Sequence, residues 1–211
     1  MASVVDIHIV PLSDHGTAKT NADPRRMSKQ SAGSGIIIAS DGLILTNEHV
    51  VRDAAKVSVA LSDGSRHQVT DVAVHPKLDL AVLRIDRHNL LALGVVGPPV
   101  EPGATVAAIG GASFLEDGAV RDGIVTHTRV SLQHALDPRR TRLYNGLIET
   151  TARIEPGFSG GALIDSHGKL VGINVAVSGD PDSKQYRGYA IPCRAPIRQA
   201  IAELVDQIRN P

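Results

Sequence analysis

The chain has 211 residues, enough for one large or two small domains with cores of their own. Its 22 Lys and Arg balance its 22 Asp and Glu, so no basic field points to nucleic acid or to an anionic membrane surface. A single cysteine, Cys193, excludes an internal disulfide, and no apolar run approaches the length of a membrane-spanning helix.

Met1-Ala2-Ser3 leads straight into an alternating strand over 4–10, with no signal peptide visible. That start fits a cytoplasmic protein or one already relieved of an export signal. Residues 11–32 are polar and read as a long exposed loop. Residues 33–38 and 43–46 flank Ser40-Asp41-Gly42, a hairpin with an Asp-Gly turn. The alternation stops at Asn47-Glu48-His49-Val50-Val51. Further strands are expected over 57–61, 68–74 and 80–85, separated by Asp63-Gly64 and His75-Pro76. The Pro- and Gly-rich stretch 94–103 reads as a linker between an N-terminal half, 1–93, and a second half, 104–193. In that half, strands are expected over 105–109, 123–130, 147–151, 162–164, 170–177 and 189–191. The tail, 194–211, carries Ile197, Ile201, Leu204, Val205 and Ile208 at helical spacing. The expected fold class is all-β: two small barrels with a C-terminal α-helix.

Chemistry concentrates in Glu155-Pro156-Gly157-Phe158-Ser159-Gly160-Gly161. Glycines around a serine let the backbone approach a substrate and turn its N–H groups inward, as an oxyanion hole requires. The same letters fit G-x-S-x-G, the nucleophile elbow of α/β-hydrolases. That motif needs a helix directly after the serine and its acid and histidine later in the chain. Here a hairpin pattern follows, and the best partners come earlier. One is His49, where an apolar strand ends. The other is Asp79, set against the apolar run Leu80-Ala81-Val82-Leu83, where a carboxylate is costly unless partnered. Each residue alone has an ordinary reading: a turn serine, a strand-end histidine, a turn aspartate. The other histidines show no metal-ligand spacing, and no cofactor is expected. His75-Pro76 reads as exposed loop, Cys193 as a buried thiol, and Arg139-Arg140-Thr141-Arg142 as a solvated loop.

Thr46-Asn47-Glu48-His49-Val50-Val51, Asp79-Leu80-Ala81-Val82-Leu83 and the Ser159 motif together resemble the three catalytic motifs of HtrA/Deg-type, trypsin-like serine proteases. Ala108-Ile109-Gly110, Asp122-Gly123-Ile124-Val125 and Gly188-Tyr189-Ala190-Ile191-Pro192 extend the resemblance over nearly the whole chain. It implies two six-stranded antiparallel β-barrels with the active site between them. It also implies a Ser159-His49-Asp79 triad and oxyanion donors on Gly157 and Ser159, each donor worth about 3 kcal/mol. The substrate would be extended or unfolded polypeptide, bound main chain to main chain along Asn174, Val175, Ala176 and Val177. Arg153, Ile154 and Gly188 would line the specificity pocket. An inward Arg153 would select acidic residues; an outward one, paired with Glu155, would leave an apolar pocket floored by Ile154 and Val177.

The chain also departs from the family. Phe158 stands where Asn or Asp is usual, which keeps open a latent member that binds peptide without cutting it. A small-ester hydrolase would share the chemistry. The family commonly carries a peptide-binding PDZ domain after the terminal helix, whereas this sequence stops at Pro211, as expected of a single-domain member or of a chain cut at the domain boundary. The family often trimerises through N-terminal aromatic residues; the first forty positions hold none, so a homotrimer stays an open option. The resemblance implies a periplasmic or otherwise exported protein if a signal was removed.

Overall fold

A computed structural model describes residues 3–12, 31–111, 120–137, 140–179, 183 and 186–211. Most of the expected 11–32 loop and Arg139 lie outside the described residues. The first barrel comprises β1 (Val4–Pro11), β2 (Ser31–Ala39), β3 (Leu43–Thr46), β4 (Ala54–Ala60), β5 (Arg66–His75) and β6 (Leu80–Ile85). They close in the order β1-β2-β3-β6-β5-β4, all antiparallel. The second barrel comprises β7 (Thr105–Ile109), β8 (Val120–Asp137), β9 (Arg140–Thr150), β10 (Ala162–Asp165), β11 (Leu170–Ser178) and β12 (Arg187–Pro192). Its closed order is β10-β11-β12-β9-β8-β7, again antiparallel. One helical turn, α1 (Glu48–Val51), follows β3, and α2 (Ala195–Arg209) ends the chain.

The apolar runs of β3 and β6 have no polar face because both of their faces are buried. Ile44, Ala81 and Leu83 point into the first barrel with Val5, Ile7, Ile37 and Val59. Their alternates, Leu43, Leu45, Leu80 and Val82, join a second cluster that also holds Tyr144, Leu147, Ile173 and the helix residues Ile197, Ile201, Leu204 and Ile208. Period-two side chains on doubly covered strands therefore feed two cores at once. The second barrel is filled by Val106, Ala108, Val125, Ile148, Ile154, Phe158, Leu163 and Val171. Although α2 leaves the second barrel, it packs on β5 and β6 of the first, with Arg209 ion-paired to Asp41 at 3.1 Å. The β2–β3 turn needs Gly42, whose φ is 95° and whose Cβ would come within 2.2 Å of the Ile85 carbonyl.

One segment departs from expectation. Strands expected over 123–130 and 147–151 continue into the long arms of β8 and β9, so Arg142 lies in a strand, not in a solvated loop. In β8 the half-buried Val130, Leu132 and His134 alternate with exposed Ser131 and Gln133. The pairing Leu132↔Tyr144 and His134↔Arg142 carries these arms toward the first barrel.

Candidate active site

α1 and the 3₁₀ turn Pro76–Leu78 place His49 against Asp79. Asn47 caps α1 from extended backbone, and its side-chain amide donates to the Asp79 carbonyl at 3.1 Å. Asp79 closes the 3₁₀ turn with φ 58°, a left-handed conformation that short polar side chains tolerate best. His75 accepts the Leu78 N–H at 3.3 Å and so serves the turn rather than the chemistry. The His49 backbone N–H donates to Asp79 Oδ1 at 3.0 Å, and its ring Nδ1 lies 2.8 Å from Oδ2. Among the described residues the other ring nitrogen has no hydrogen-bond partner in the protein.

Asp79 is fully buried, and its carboxylate is nearly saturated with partners. The Tyr144 hydroxyl donates to Oδ2 at 2.8 Å. Arg142 NH1 stands 2.6 Å from Oδ1 as an ion pair, its N–H not aimed along the oxygen. With the two groups of His49, these contacts put two partners on each carboxylate oxygen, three of them hydrogen bonds. Burial pushes the Asp79 pKa up, but the hydrogen bond and charge of His49, then Arg142 and Tyr144, outweigh it and hold the group below the usual carboxylate range. Burial and the charge of Asp79 raise the Tyr144 phenol, so it stays a donor. Arg142 also reaches Glu48 at 3.0 Å, and Glu48 pairs with Arg52. Sequence reasoning missed Arg142 and Tyr144. The available signal was the apolar–polar alternation through Val130 and Leu132, which extends the hairpin far enough to deliver them.

The serine loop lies along the same turn as His49. A Cβ on Gly33 would touch both Val50 and the Ser159 carbonyl, and one on Gly160 would meet Thr46 Oγ1 at 2.2 Å and Asn47 N at 3.2 Å. Gly157 and Gly160 have φ of 94° and 84°, which only glycine adopts freely. The Phe158 ring does not sit among the donors. It is fully buried in the second barrel, and a Cβ on Gly110 would come within 2.5 Å of it. Phe158 N–H donates to the Glu155 carbonyl, Gly160 N–H to the Asn174 carbonyl, and Gly161 N–H to the Phe158 carbonyl, each at 2.9 Å. Among the described residues, no protein acceptor takes the N–H of Gly157 or of Ser159. The Ser159 hydroxyl makes a long bond, 3.4 Å, to the Val175 carbonyl.

Asn174 corrects one expectation. Its N–H donates to Gly161, its carbonyl accepts Gly160, and its amide donates to Ile109 and Ala162 carbonyls. It is fully buried and braces the serine loop instead of offering its main chain to a ligand. After it the β11–β12 register slips, Asn174↔Ala190 being followed by Ala176↔Tyr189, which leaves Val175 outside the ladder. Val177 pairs with Gly188, where a Cβ would collide with the Ala152 carbonyl and Ile154. Ile154 is buried, and the Tyr186 hydroxyl donates to its carbonyl. Arg153 is exposed, its guanidinium 5.9 Å from the centre of the Tyr186 ring. Its expected partner Glu155 is instead ion-paired with Arg121 at 2.8 Å. A separate cavity of about 350 Å³, lined by Arg129, Cys193, Arg194 and Arg198, holds none of these residues. Among the described residues, no helix is long and apolar enough to cross a membrane, and no cluster of three His, Cys, Asp or Glu could hold a metal.

Comparison with known proteins agrees with this fold. The trypsin-like peptidase domain matches residues 33–173. A protein of Pseudomonas putida named "Probable periplasmic serine endoprotease DegP-like" is 39% identical over 170 residues, 80% of this chain and 34% of that one. HhoB of Synechocystis sp., named as a serine protease, is 36% identical over 185 residues, 87% of this chain and 41% of that one. The solved structure of the HtrA-type protease AlgW with a decapeptide superimposes with a TM-score of 0.73 at 32% identity, covering 99% of this chain and 65% of that one. The chain thus spans less than half the length of these curated relatives. With two closed barrels, a histidine held by a buried aspartate and this match in hand, the chain belongs to the trypsin-like peptidase domain family, as an HtrA-like serine protease domain.

Proposed function

We propose that the domain is a serine endopeptidase that hydrolyses peptide bonds in extended or unfolded polypeptide through a Ser159-His49-Asp79 triad and an acyl-enzyme. One observation carries the reading. Fully buried Asp79 holds His49 by Nδ1, 2.8 Å away, beside a serine loop whose Gly157 and Ser159 N–H groups have no protein acceptor among the described residues. Asp79 fixes the imidazole tautomer, so Nε2 is the acceptor that takes the Ser159 proton as Oγ attacks the scissile carbonyl. The developing oxyanion is stabilised by the Gly157 and Ser159 N–H groups. His49 then passes the proton to the leaving amine, and water reverses the sequence to release the acid.

The substrate lies along β11 from Val175 to Val177. The register slip at Val175 frees a carbonyl that now holds the Ser159 hydroxyl only loosely, and a substrate N–H would compete for it. With Arg153 outward, Ile154, Val177 and Gly188 make an apolar pocket for a small aliphatic residue before the cut. A peptide library enriched instead for Asp or Glu at that position would overturn this pocket assignment. The periplasmic name of the DegP-like relative supports an exported setting for the domain.

The direct test is fluorophosphonate labelling of the protein beside a Ser159→Ala control, with β-casein degradation in parallel. Labelling and casein loss in the wild type alone are expected. A folded wild type that neither labels nor cuts would refute the reading, and ester turnover without casein loss would favour a small-ester hydrolase.

A further inference from the structure

Ser34 of β2 belongs to the first barrel, yet its polar groups converge on the serine loop of the second. It is fully buried. Its hydroxyl donates to the Gly157 carbonyl at 2.5 Å and accepts the Gly111 N–H at 2.8 Å. Its backbone N–H donates to the Ser159 carbonyl at 2.8 Å. Its own carbonyl is fixed by Thr46 Oγ1 at 2.7 Å, so the clamp does not swing. Ser34 thus grips the loop on both sides of Phe158.

The grip matters because Gly157 is the loop's soft joint. At φ 94° it occupies a region glycine enters as readily as its mirror image. Rotation there would turn its N–H away from Ser159. Phe158 anchors one side of the joint by its buried ring and its N–H bond to Glu155. The Gly157 carbonyl is the other end of the peptide unit that carries the Phe158 N–H, and the Ser34 hydroxyl holds that end. Sterics at Gly157 leave its φ free, so its N–H, which lies in the preceding peptide unit, is steered through the peptide plane that Glu155 and Ser34 hold just after it.

We infer that Ser34 is a positioning residue for oxyanion stabilisation: its hydroxyl, shared between the Gly111 N–H and the Gly157 carbonyl, holds the Gly157 N–H facing the nucleophile. The inference rests on the serine-endopeptidase reading. The bland alternative is that the hydroxyl only satisfies the buried Gly111 N–H and supports folding. The two differ in what they do to the chemical step.

The test compares wild type, Ser34→Ala and Ser34→Cys on a fluorogenic peptide, with active sites counted by the endpoint of fluorophosphonate labelling. Removing an oxyanion donor outright costs about 10²- to 10³-fold in kcat, so loosening one by Ser34→Ala should cost about 10- to 100-fold per active site. KM should stay within about twofold, and affinity for a peptide aldehyde, which needs the oxyanion donors, should fall in parallel with kcat. The pH profile of kcat should keep its shape, because no titrating group is touched. Ser34→Cys, of similar shape with a weak thiol donor, should fall between the two and serves as the readout if Ser34→Ala does not fold. Full kcat per active site in both variants, with only a lower labelling endpoint or Tm, would reduce Ser34 to a structural role and overturn the proposal. A wild type that neither labels nor cuts would sink the endopeptidase reading itself, and this inference with it.

Discussion

Asp79 is the residue on which the candidate site turns, because it is a fully buried charge in a left-handed backbone conformation. Such a conformation costs roughly 1–2 kcal/mol, and a buried carboxylate without partners costs several more. His49, Tyr144 and Arg142 offset both. Tyr144→Phe keeps the ring and deletes one donor to the charge, so a loss of about 1.5–3 kcal/mol is expected in urea unfolding at neutral pH. The sign of the pH dependence follows from the depressed Asp79 pKa. Stability from Asp79 is fully present above its unfolded value near pH 4 and is lost as pH falls through the lower folded value. Without Tyr144 the folded value moves up, so acid unfolding followed by circular dichroism should begin at higher pH. An unchanged acid midpoint would mean that Tyr144 adds nothing to holding the charge. Arg142→Ala removes the counter-charge shared by Asp79 and Glu48. Breaking a buried pair costs about 3–5 kcal/mol, and the 15% exposure of the Arg142 side chain reduces the expected loss to about 2–3 kcal/mol.

At the scale of elements, the β8–β9 hairpin and the serine loop explain what could be read in the sequence and what could not. The doubly buried strands β3 and β6 were legible as apolar runs, and α2 by its spacing. His49, Asp79 and Ser159 were legible only as a set of motifs in order, since each has an ordinary meaning alone. The far arms of β8 and β9 were hidden because each has only one buried face and interleaves polar residues, Ser131 and Gln133 in one and Arg140 and Arg142 in the other. A solvated loop has much the same composition. The partners of Asp79 come from those arms, more than sixty positions away along the chain. The direction of Phe158 was equally hidden, because a glycine-flanked ring can point into a core or into a cleft. Its burial makes it the anchor of the loop. Phe158→Ala should cost about 3–5 kcal/mol in equilibrium unfolding, and activity should fall more than the folded fraction does, because the freed loop no longer holds its N–H groups together. If activity merely tracks the folded fraction, the loop is held without the ring.

At the scale of the whole molecule, the proposed chemistry needs two barrels held in register: His49 and Asp79 ride on the first and Ser159 on the second. Three ties span the gap: the clamp of Ser34 on the serine loop, the hairpin that brings Arg142 and Tyr144 to Asp79, and α2. The helix emerges from β12 of the second barrel and lays Ile197, Ile201, Leu204 and Ile208 into the cluster that holds Leu80, Val82 and Ala73 of the first. Covalently it belongs to one barrel and by packing to the other, so it works as a strap. Leu204 is 2% exposed, far from Ser159 in sequence and absent from the candidate site. Leu204→Ala should cost about 2–5 kcal/mol, which for a chain of this size corresponds to a fall in Tm of about 4–20 °C. If the strap couples the barrels, unfolding by circular dichroism stays a single transition in the wild type. In the variant, fluorophosphonate labelling should then be lost at a lower temperature than secondary structure, because the barrels part before either unfolds. Loss of labelling and structure at one temperature in both proteins would mean that the cross-barrel contacts of Ser34, Arg142 and Tyr144 keep the halves in register without the helix.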